Sequence, residues 1–318
     1  PLNQLKRIYL DFEMPIKEID EKISKLLLNQ NNIDQVNSLK ILLKDKIKEI
    51  YSNLSRWQRV QLARHPNRPY SLDYINYFCN NFFELHGDRS YGDDPSVVTG
   101  IGSLGSFKVA YIGQQKGRNT KENIYRNFGM MKPEGYRKAL RIMKLAEKFN
   151  LPIITFMDTI GAYPGLGAEE RGQGQAIANN LFSMAELRVP ILSIVIGEGA
   201  SGGALGIGVC DRMFMMENTW YSVISPEGCA SILFRDAKKA EEAAEALKPT
   251  PDDLVKMGIC DKIIKEPNGG AHRDFDSSAS KLKEELVKEL EMITKLDRDQ
   301  FLDNRILKYD KLGYFNST

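Results

Sequence analysis

Glycines and small residues crowd one stretch of this chain in a spacing suited to oxyanion chemistry. The run Val189-Pro-Ile-Leu-Ser-Ile-Val-Ile196 is apolar and β-branched, and it passes directly into Gly197-Glu-Gly-Ala-Ser-Gly-Gly-Ala-Leu-Gly-Ile-Gly208. This pattern reads as a buried strand ending in a tight turn, with a helix starting near Ser201. Successive glycines let the backbone approach a ligand without Cβ interference, and free N–H groups at the helix start attract negative charge. Three chemistries fit the turn. Gly197 to Gly202 matches the dinucleotide fingerprint G-x-G-x-x-G, with Glu217 at the distance of a ribose-holding acid. Only Gly202 to about Val209 is available for the helix, however, and Gly206 and Gly208 weaken it as a crossover. Gly199-Ala-Ser-Gly-Gly203 also matches a nucleophile elbow around Ser201. Its one downstream histidine, His272, sits in the turn-rich segment Pro267–Arg273, where a surface or interface position is the plainer reading. The third chemistry needs no side-chain nucleophile, because adjacent N–H groups of Gly202 and Gly203 can hold an oxyanion in a dry site. Tight strand–helix packing by small residues is the non-catalytic alternative.

A second turn repeats the design and favours the third chemistry. Pro152-Ile-Ile-Thr-Phe-Met157 is another buried-strand pattern, followed by Asp158-Thr-Ile-Gly-Ala-Tyr-Pro-Gly-Leu-Gly-Ala-Glu-Glu-Arg-Gly172. A helix from about Glu169 to Leu187 follows, with acids in its first turn. Two strand–loop–helix units in series imply parallel strands joined by helices.

With these residues in view, the chain resembles the α-subunit family of bacterial acetyl-coenzyme A carboxylase carboxyltransferases. The segments that carry the resemblance are Arg64-His-Pro-Asn-Arg-Pro-Tyr70, Gly113-Gln-Gln-Lys-Gly-Arg118, Asn127-Phe-Gly-Met130, Pro133-Glu-Gly-Tyr-Arg-Lys-Ala139, Asp158 to Gly165, Gly197 to Leu205, and Val223-Ile-Ser-Pro-Glu-Gly-Cys-Ala-Ser231. It extends from Phe12 to Leu312-Gly-Tyr314. Ile160 departs from it, since the family pattern has proline there, and isoleucine should leave that loop less rigid. The resemblance implies an α/β, crotonase-like (ClpP/crotonase) superhelix of ββα units. It also implies transfer of a carboxyl group from carboxybiotin, held covalently on a separate carrier protein, to acetyl-CoA, giving malonyl-CoA in the first committed step of fatty acid synthesis.

In that reaction charge gathers on the ureido oxygen of biotin, and Gly202 and Gly203 are the expected donors. The biotin anion can itself take the acetyl proton, consistent with no obvious Ser/His/Asp set. Gly161, Ala162, Tyr163, Pro164 and Gly165 of the first loop, and Gly199, Ser201 and Ala204 of the second, are expected to line the cofactor pocket, with the Tyr163 ring offering flat apolar area. Lys116 and Arg118 are candidates for biotin, CoA phosphates or the carrier, against a plain solvated basic turn. Glu169, Glu170, Glu198 and Glu227 would matter if the chain were a stand-alone crotonase-type hydratase or thioester hydrolase; in that case replacing Ser201, Glu169 or Glu198 should abolish activity.

The resemblance also implies partners: a β subunit carrying the second oxyanion site and a zinc ribbon, an α2β2 heterotetramer, a biotin carboxyl carrier protein and a biotin carboxylase. Cys79, Cys210, Cys229 and Cys260 have no C-x-x-C spacing, so no metal site and no disulfide is expected here; they read as buried thiols of a cytoplasmic protein. The net charge of +2 across 318 residues gives no general attraction to nucleic acid or anionic membranes. His65 and His86 lie in turn-like segments and read as structural.

The elements that must position these residues fall into three parts. Residues 1–70 form a helical arm: Ile16, Ile19, Ile23, Leu26 and Leu27, then Val36, Leu39, Leu43, Ile47, Ile50 and Leu54, recur at helical spacing around an Asn29–Asn32 connector. An uncovered apolar edge of this hairpin would be a docking arm for the other subunit. Residues 71–275 form the core, with strands at Val97–Ile101, Phe107–Ile112, Tyr221–Ser225 and Cys260–Ile264. Its further helices fall at Pro133–Phe149, Ala237–Leu247 and Asp252–Met257. Residues 276–318 carry amphipathic helices at Ser277–Leu296 and Asp299–Leu312, expected by resemblance at subunit interfaces.

Overall fold

Strands that are apolar along both faces have to lie between two covering layers, and the sheet of this chain does so. The computed structural model describes residues 6–28 and 33–313; the Asn29–Asn32 connector, residues 1–5 and Tyr314 lie outside the described residues. The strands are β1 Phe83–Glu84, β2 Val97–Leu104, β3 Phe107–Gln114, β4 Ile153–Thr159, β5 Ile191–Ala200, β6 Arg212–Met216, β7 Trp220–Ser222 and β8 Lys262–Ile264. They run in the order β1-β2-β3-β4-β5-β6-β8, with β7 paired to β5. β1, β2 and β3 are antiparallel, and every pairing from β3 onward is parallel. β5 forks: Leu192–Val195 pairs with β6, whereas Glu198–Ala200 pairs with β7.

The helices are α1 Met14–Leu27, α2 Ile33–Ser52, α3 Arg56–Ala63, α4 Ser71–Phe78, α5 Thr120–Tyr125, α6 Pro133–Lys148, α7 Leu166–Glu170, α8 Gln173–Glu186, α9 Ser201–Leu205, α10 Pro226–Phe234, α11 Ala240–Leu247, α12 Pro251–Lys256, α13 Phe275–Ile293 and α14 Arg298–Asp310. Alternating residues of the central strands feed two cores. Ile153, Met157, Ile191 and Val195 pack with Tyr136, Ile142 and Met143 of α6 and Met184 of α8. Ile154, Phe156, Leu192, Ile194 and Ile196 face Tyr74 and Phe78 of α4 and Leu282, Leu286 and Leu290 of α13. The stripe Ala279, Leu282, Leu286, Leu290, Ile293 is why α13 is helical and where it lies: steps of three and four bring one face onto the sheet.

The long helix expected from Glu169 to Leu187 is two. Gly172 adopts φ +79°, which breaks the helix and serves as the N-cap of α8. The strand expected at Tyr221–Ser225 closes at Ser222, because Ser225 caps α10 through Gly228 N–H and Pro226 takes its first turn. The strand expected from Cys260 starts at Lys262, and the helix from Ala237 begins as a single 3-10 turn. The α1–α2 hairpin packs through Ile19, Ile23 and Val36, leaving Ile41 and Leu42 exposed. No described helix is long and apolar enough to cross a membrane.

One buried cation holds α14 to the core. The Arg305 guanidinium donates to both carboxylate oxygens of Asp211 at 2.9 and 2.8 Å and to the carbonyls of Met184, Leu187 and Val189 at 2.7–2.9 Å. Every donor direction of its fork is used, which makes burial of the charge tolerable. Arg305→Met leaves Asp211 unpaired and should lower the unfolding free energy by about 3–5 kcal/mol, read as a fall in denaturant midpoint. Arg298→Met, at an exposed position of the same helix, should change it by less than about 0.5 kcal/mol.

Candidate active site

β4 and β5 are neighbours in a parallel sheet, so the two glycine-rich loops emerge side by side at their carboxyl ends, where ligands of open α/β sheets bind. The ladder between them slips after Met157: Met157 pairs with Val195 but Thr159 pairs with Gly199. Asp158 fills the slip, its Oδ1 accepting the Glu198 N–H at 3.0 Å. Gly197 leaves room for that carboxylate, since a Cβ there would lie 2.6 Å from Asp158 Cγ.

Beyond the slip the loops touch through backbone. A Cβ on Gly203 would lie 2.5 Å from Ala162 N and 2.8 Å from Gly161 Cα, so only glycine permits this approach. Gly203 O accepts from Gln114 Nε2 at 2.8 Å and from the Tyr136 hydroxyl at 3.2 Å. Gly202 and Gly203 occupy the first turn of α9, ahead of the first helical hydrogen bond, and their N–H groups take no acceptor outside the helix among the described residues. Ser201, at the strand–helix junction, has φ +55°, a left-handed conformation unusual for a residue with a side chain. Ile160 is half exposed; in place of proline rigidity, the Thr159 hydroxyl braces this loop, donating to Gly161 O at 2.8 Å and accepting from Gly161 N–H at 3.1 Å.

Lys116 sits beneath both loops. Its ammonium lies 2.7 Å from Asp158 Oδ1 and 3.0 Å from Glu198 Oε1, and Arg64 adds a second cation 3.1 Å from Glu198 Oε2. Burial opposes the Lys116 charge, but the two carboxylates outweigh it and hold its pKa above the usual lysine range. Burial likewise disfavours ionised Glu198, yet Lys116 and Arg64 keep its pKa below the ordinary value. Arg118 points elsewhere: it pairs with Asp73, donates to Arg68 O at 2.7 Å and stacks 3.9 Å over the Tyr70 ring.

Two cavities flank the loops. One of about 470 Å³ is walled by Ser201, Gly202, Leu205, Tyr221, Val223 and Ile259 among others. The other, of about 260 Å³, is bordered by Arg64, Tyr70, Lys116, Arg118, Ile160 and Glu198. Gly203 and Ala204 are sealed behind the first cavity, and Gly199 lies within β5 against Tyr221. Tyr163 and Pro164 line neither; Tyr163 is fixed by Met131 O and Gln173 Nε2 and lies against Gly165, the N-cap of α7. Of the candidate acids, Glu227 pairs with Arg64, and Glu169 and Glu170 are exposed on α7. Sequence reasoning missed Gln114, Tyr136 and Asp158 as the groups that fix the turn.

Comparison with known proteins decides the family. A sequence profile described as "Acetyl co-enzyme A carboxylase carboxyltransferase-like" matches residues 9–313. The chain belongs to this family. It is 51% identical over 329 residues to the acetyl-coenzyme A carboxylase carboxyl transferase subunit alpha of Chlorobaculum parvum, covering 98% of each chain. It is 52% identical over 313 residues to the protein of the same name from Flavobacterium johnsoniae, covering 96% of this chain and 99% of the other. Among solved structures, the transcarboxylase 12S core matches at a TM-score of 0.58 and 18% identity, over 72% of this chain and 43% of that one. The fold is accordingly crotonase-like.

Membership of a carboxyltransferase family disfavours the hydrolase and hydratase alternatives, and the histidines agree. His272 does not meet Ser201: its ring stacks on His65 with centroids 4.0 Å apart, and its Nε2 lies 3.6 Å from Glu13 Oε1. It is mostly buried rather than on the surface. Glu13, His65 and His272 are metal-ligating types whose atoms lie within 4.8 Å of one another. Their bonds clamp the N-terminal arm to the core. Glu13 accepts from the Tyr51 hydroxyl at 2.6 Å and from Leu10 N–H at 2.9 Å. His65 Nδ1 accepts from Asn67 N–H, so Nε2 carries the proton and faces Ile8 O at 3.2 Å. His86 pairs with Asp93 in an exposed turn, and the four cysteines are free and buried.

Burial, with His272 alongside, pushes the His65 pKa down to about 3. Unfolded, this histidine takes a proton near pH 6.5; between the two values the unfolded chain binds more protons, so its contribution to stability should fall as pH drops from about 6.5 toward 3. Denaturant unfolding across that range should show the slope, and His65→Asn should flatten it; an equal slope in the variant would refute the assignment.

Proposed function

We propose that the chain is the α subunit of an acetyl-CoA carboxylase carboxyltransferase, passing a carboxyl group from carboxybiotin to acetyl-CoA to form malonyl-CoA for fatty acid synthesis. The observation that carries the site assignment is the backbone contact at Gly203, which fixes the start of α9 beside an apolar cavity. That cavity fits a bicyclic ureido ring: Leu205, Tyr221, Val223, Leu254 and Ile259 offer apolar walls, and the first turn of α9 offers N–H donors. Bound there, carboxybiotin would supply the carboxyl group and, once decarboxylated, a base for the acetyl methyl proton. The Gly202 amide, on the cavity wall, stabilises charge on the ureido oxygen, the Gly203 amide stands behind it in the same turn as the second donor of this reading, and their fixed geometry spares reorganisation as the charge forms. Gly161, Ala162 and Ala204 back the turn, and Ser201 and Gly199 shape its rim. Lys116 holds the loops from below, while Arg118 shapes the neighbouring cleft.

A β subunit completes this site in our reading. Exposed Ile160, Leu166, Val223, Ile232 and Leu233 border the loops and α10, more apolar surface than a free face of a working enzyme requires. The α2β2 assembly, zinc on the β chain, the biotin carboxyl carrier protein, the biotin carboxylase and a cytoplasmic setting belong to the same proposal. Within the chain, residues 1–70 would act as the arm, 71–275 as the carboxyltransferase core and 276–318 as helices near the subunit contact.

Assayed alone, the chain should show no carboxyl transfer, and adding the β subunit should restore it; full activity without β would refute the proposal. In the reconstituted enzyme Gly202→Pro, which deletes one donor, should lower kcat about a hundredfold. Gly202→Ala keeps the N–H and has space, its nearest neighbour being Ile177 at 3.8 Å, so it should stay within about threefold of wild type. Equal rates for the proline variant in an intact assembly would remove the oxyanion assignment.

A further inference from the structure

A turn built from Gly202-Gly203 has almost no conformational preference of its own, because glycine explores the backbone freely. Preorganised donors need a backbone held from outside. Gln114, the last residue of β3 and fully buried, has the contacts to do this. Its Oε1 accepts the Asp158 N–H at 3.0 Å, its Nε2 donates to Gly203 O at 2.8 Å, and its own carbonyl is fixed by the Ser71 hydroxyl at 2.6 Å. The side-chain orientation follows from the partners, since one is a backbone donor and the other a backbone acceptor. One carboxamide therefore bridges the base of the first loop and the start of α9.

Resting on the oxyanion reading of that turn, we propose that Gln114 is a positioning residue for carboxyl transfer: by holding the Gly203 carbonyl it fixes the Gly203–Ala204 peptide and, through it, the first turn of α9 whose preceding amides face the reacting oxygen. Satisfying a buried carbonyl would need only one donor, and the Tyr136 hydroxyl already reaches Gly203 O. The second donor comes from the one side chain that also grips the opposite loop. Two hydrogen bonds on one oxygen fix the plane of the peptide, where a single bond leaves it free to rock about the donor.

The test uses the chain reconstituted with its β subunit. Gln114→Leu should lower kcat about ten- to a hundredfold, the cost of a small misplacement of catalytic groups, with KM for acetyl-CoA within about twofold. Thr155→Val is the structural control: it removes a buried hydroxyl contact to Ser193 deeper in the same sheet, and it should lower the melting temperature while leaving kcat unchanged. Tyr136→Phe should lower kcat less than Gln114→Leu, and the double variant should deviate from the product of the two effects because both act on one oxygen. If Gln114→Leu does not assemble, Gln114→Asn carries the test, since it keeps the carboxamide but is one carbon too short to hold both Asp158 N–H and Gly203 O: a kcat loss with unchanged KM supports the role and wild-type kcat overturns it. A Gln114→Leu enzyme no slower than Thr155→Val overturns the proposal. When Gly202→Pro is slow and Gln114→Leu is not, only the positioning role fails; when Gly202→Pro is itself normal, the oxyanion reading fails first.

Discussion

Two loops can pack backbone against backbone only if their bases are kept together, and here that constraint is met by a single buried ammonium. Lys116 lies between Asp158, at the root of the first glycine-rich loop, and Glu198, at the root of the second. Two carboxylates this close would repel, and in a water-poor site the repulsion would be severe. With Lys116 between them and Arg64 on the outer oxygen of Glu198, the same charges become a cross-link. The strand slip, the glycine at 197 and the backbone contact at Gly203 all presuppose that the loops stay at this separation.

Above this charged base the arrangement changes from ionic to amide chemistry. Gln114 and Tyr136 converge on one carbonyl, and the sealed face of Gly203 leaves Gly202 to border the cavity. The N-terminal segment buttresses the site from behind. Arg68, fully buried, donates to Ile196 O at 2.6 Å and pairs with Glu266, so the turn after α3 is pinned to the strand that delivers the second loop. Burial disfavours an ionised Glu266, but Arg68 outweighs it and draws the pKa down to about 2. The ion pairs around the loops are thus load paths between elements distant in sequence.

Much of this was legible from residues alone. The β-branched runs before each glycine cluster could only be buried strands, and the spacing of Ala279 to Ile293 could only place one helix face inward. Pro226 after Ser225 marked a helix start. What stayed hidden was pairing across the fold. Lys116 looked like a ligand-seeking cation in a solvated turn, because nothing local shows that Glu198, 82 residues on, waits beside it. His272 looked exposed in its turn-rich segment, since its stacking partner His65 belongs to a different part of the chain. Gln114 left a faint signal: it falls in phase with Ala110 and Ile112, which face the core, so a polar group at that position had to find buried partners. The break at Gly172 was visible only as one glycine among several.

The fork in β5 has a consequence for how this protein can change. The lower half of the strand answers to β6 and the rigid sheet, while its tip answers to β7, the short strand leading into Tyr221, Ser222 and Val223. One wall of the larger cavity is therefore carried by β7 and the residues that follow it, a later stretch of chain than the one that anchors the glycine loops. A substitution at exposed Val223 would thus change the width of the chamber from a wall that shares no loop with Gly161 or Gly203.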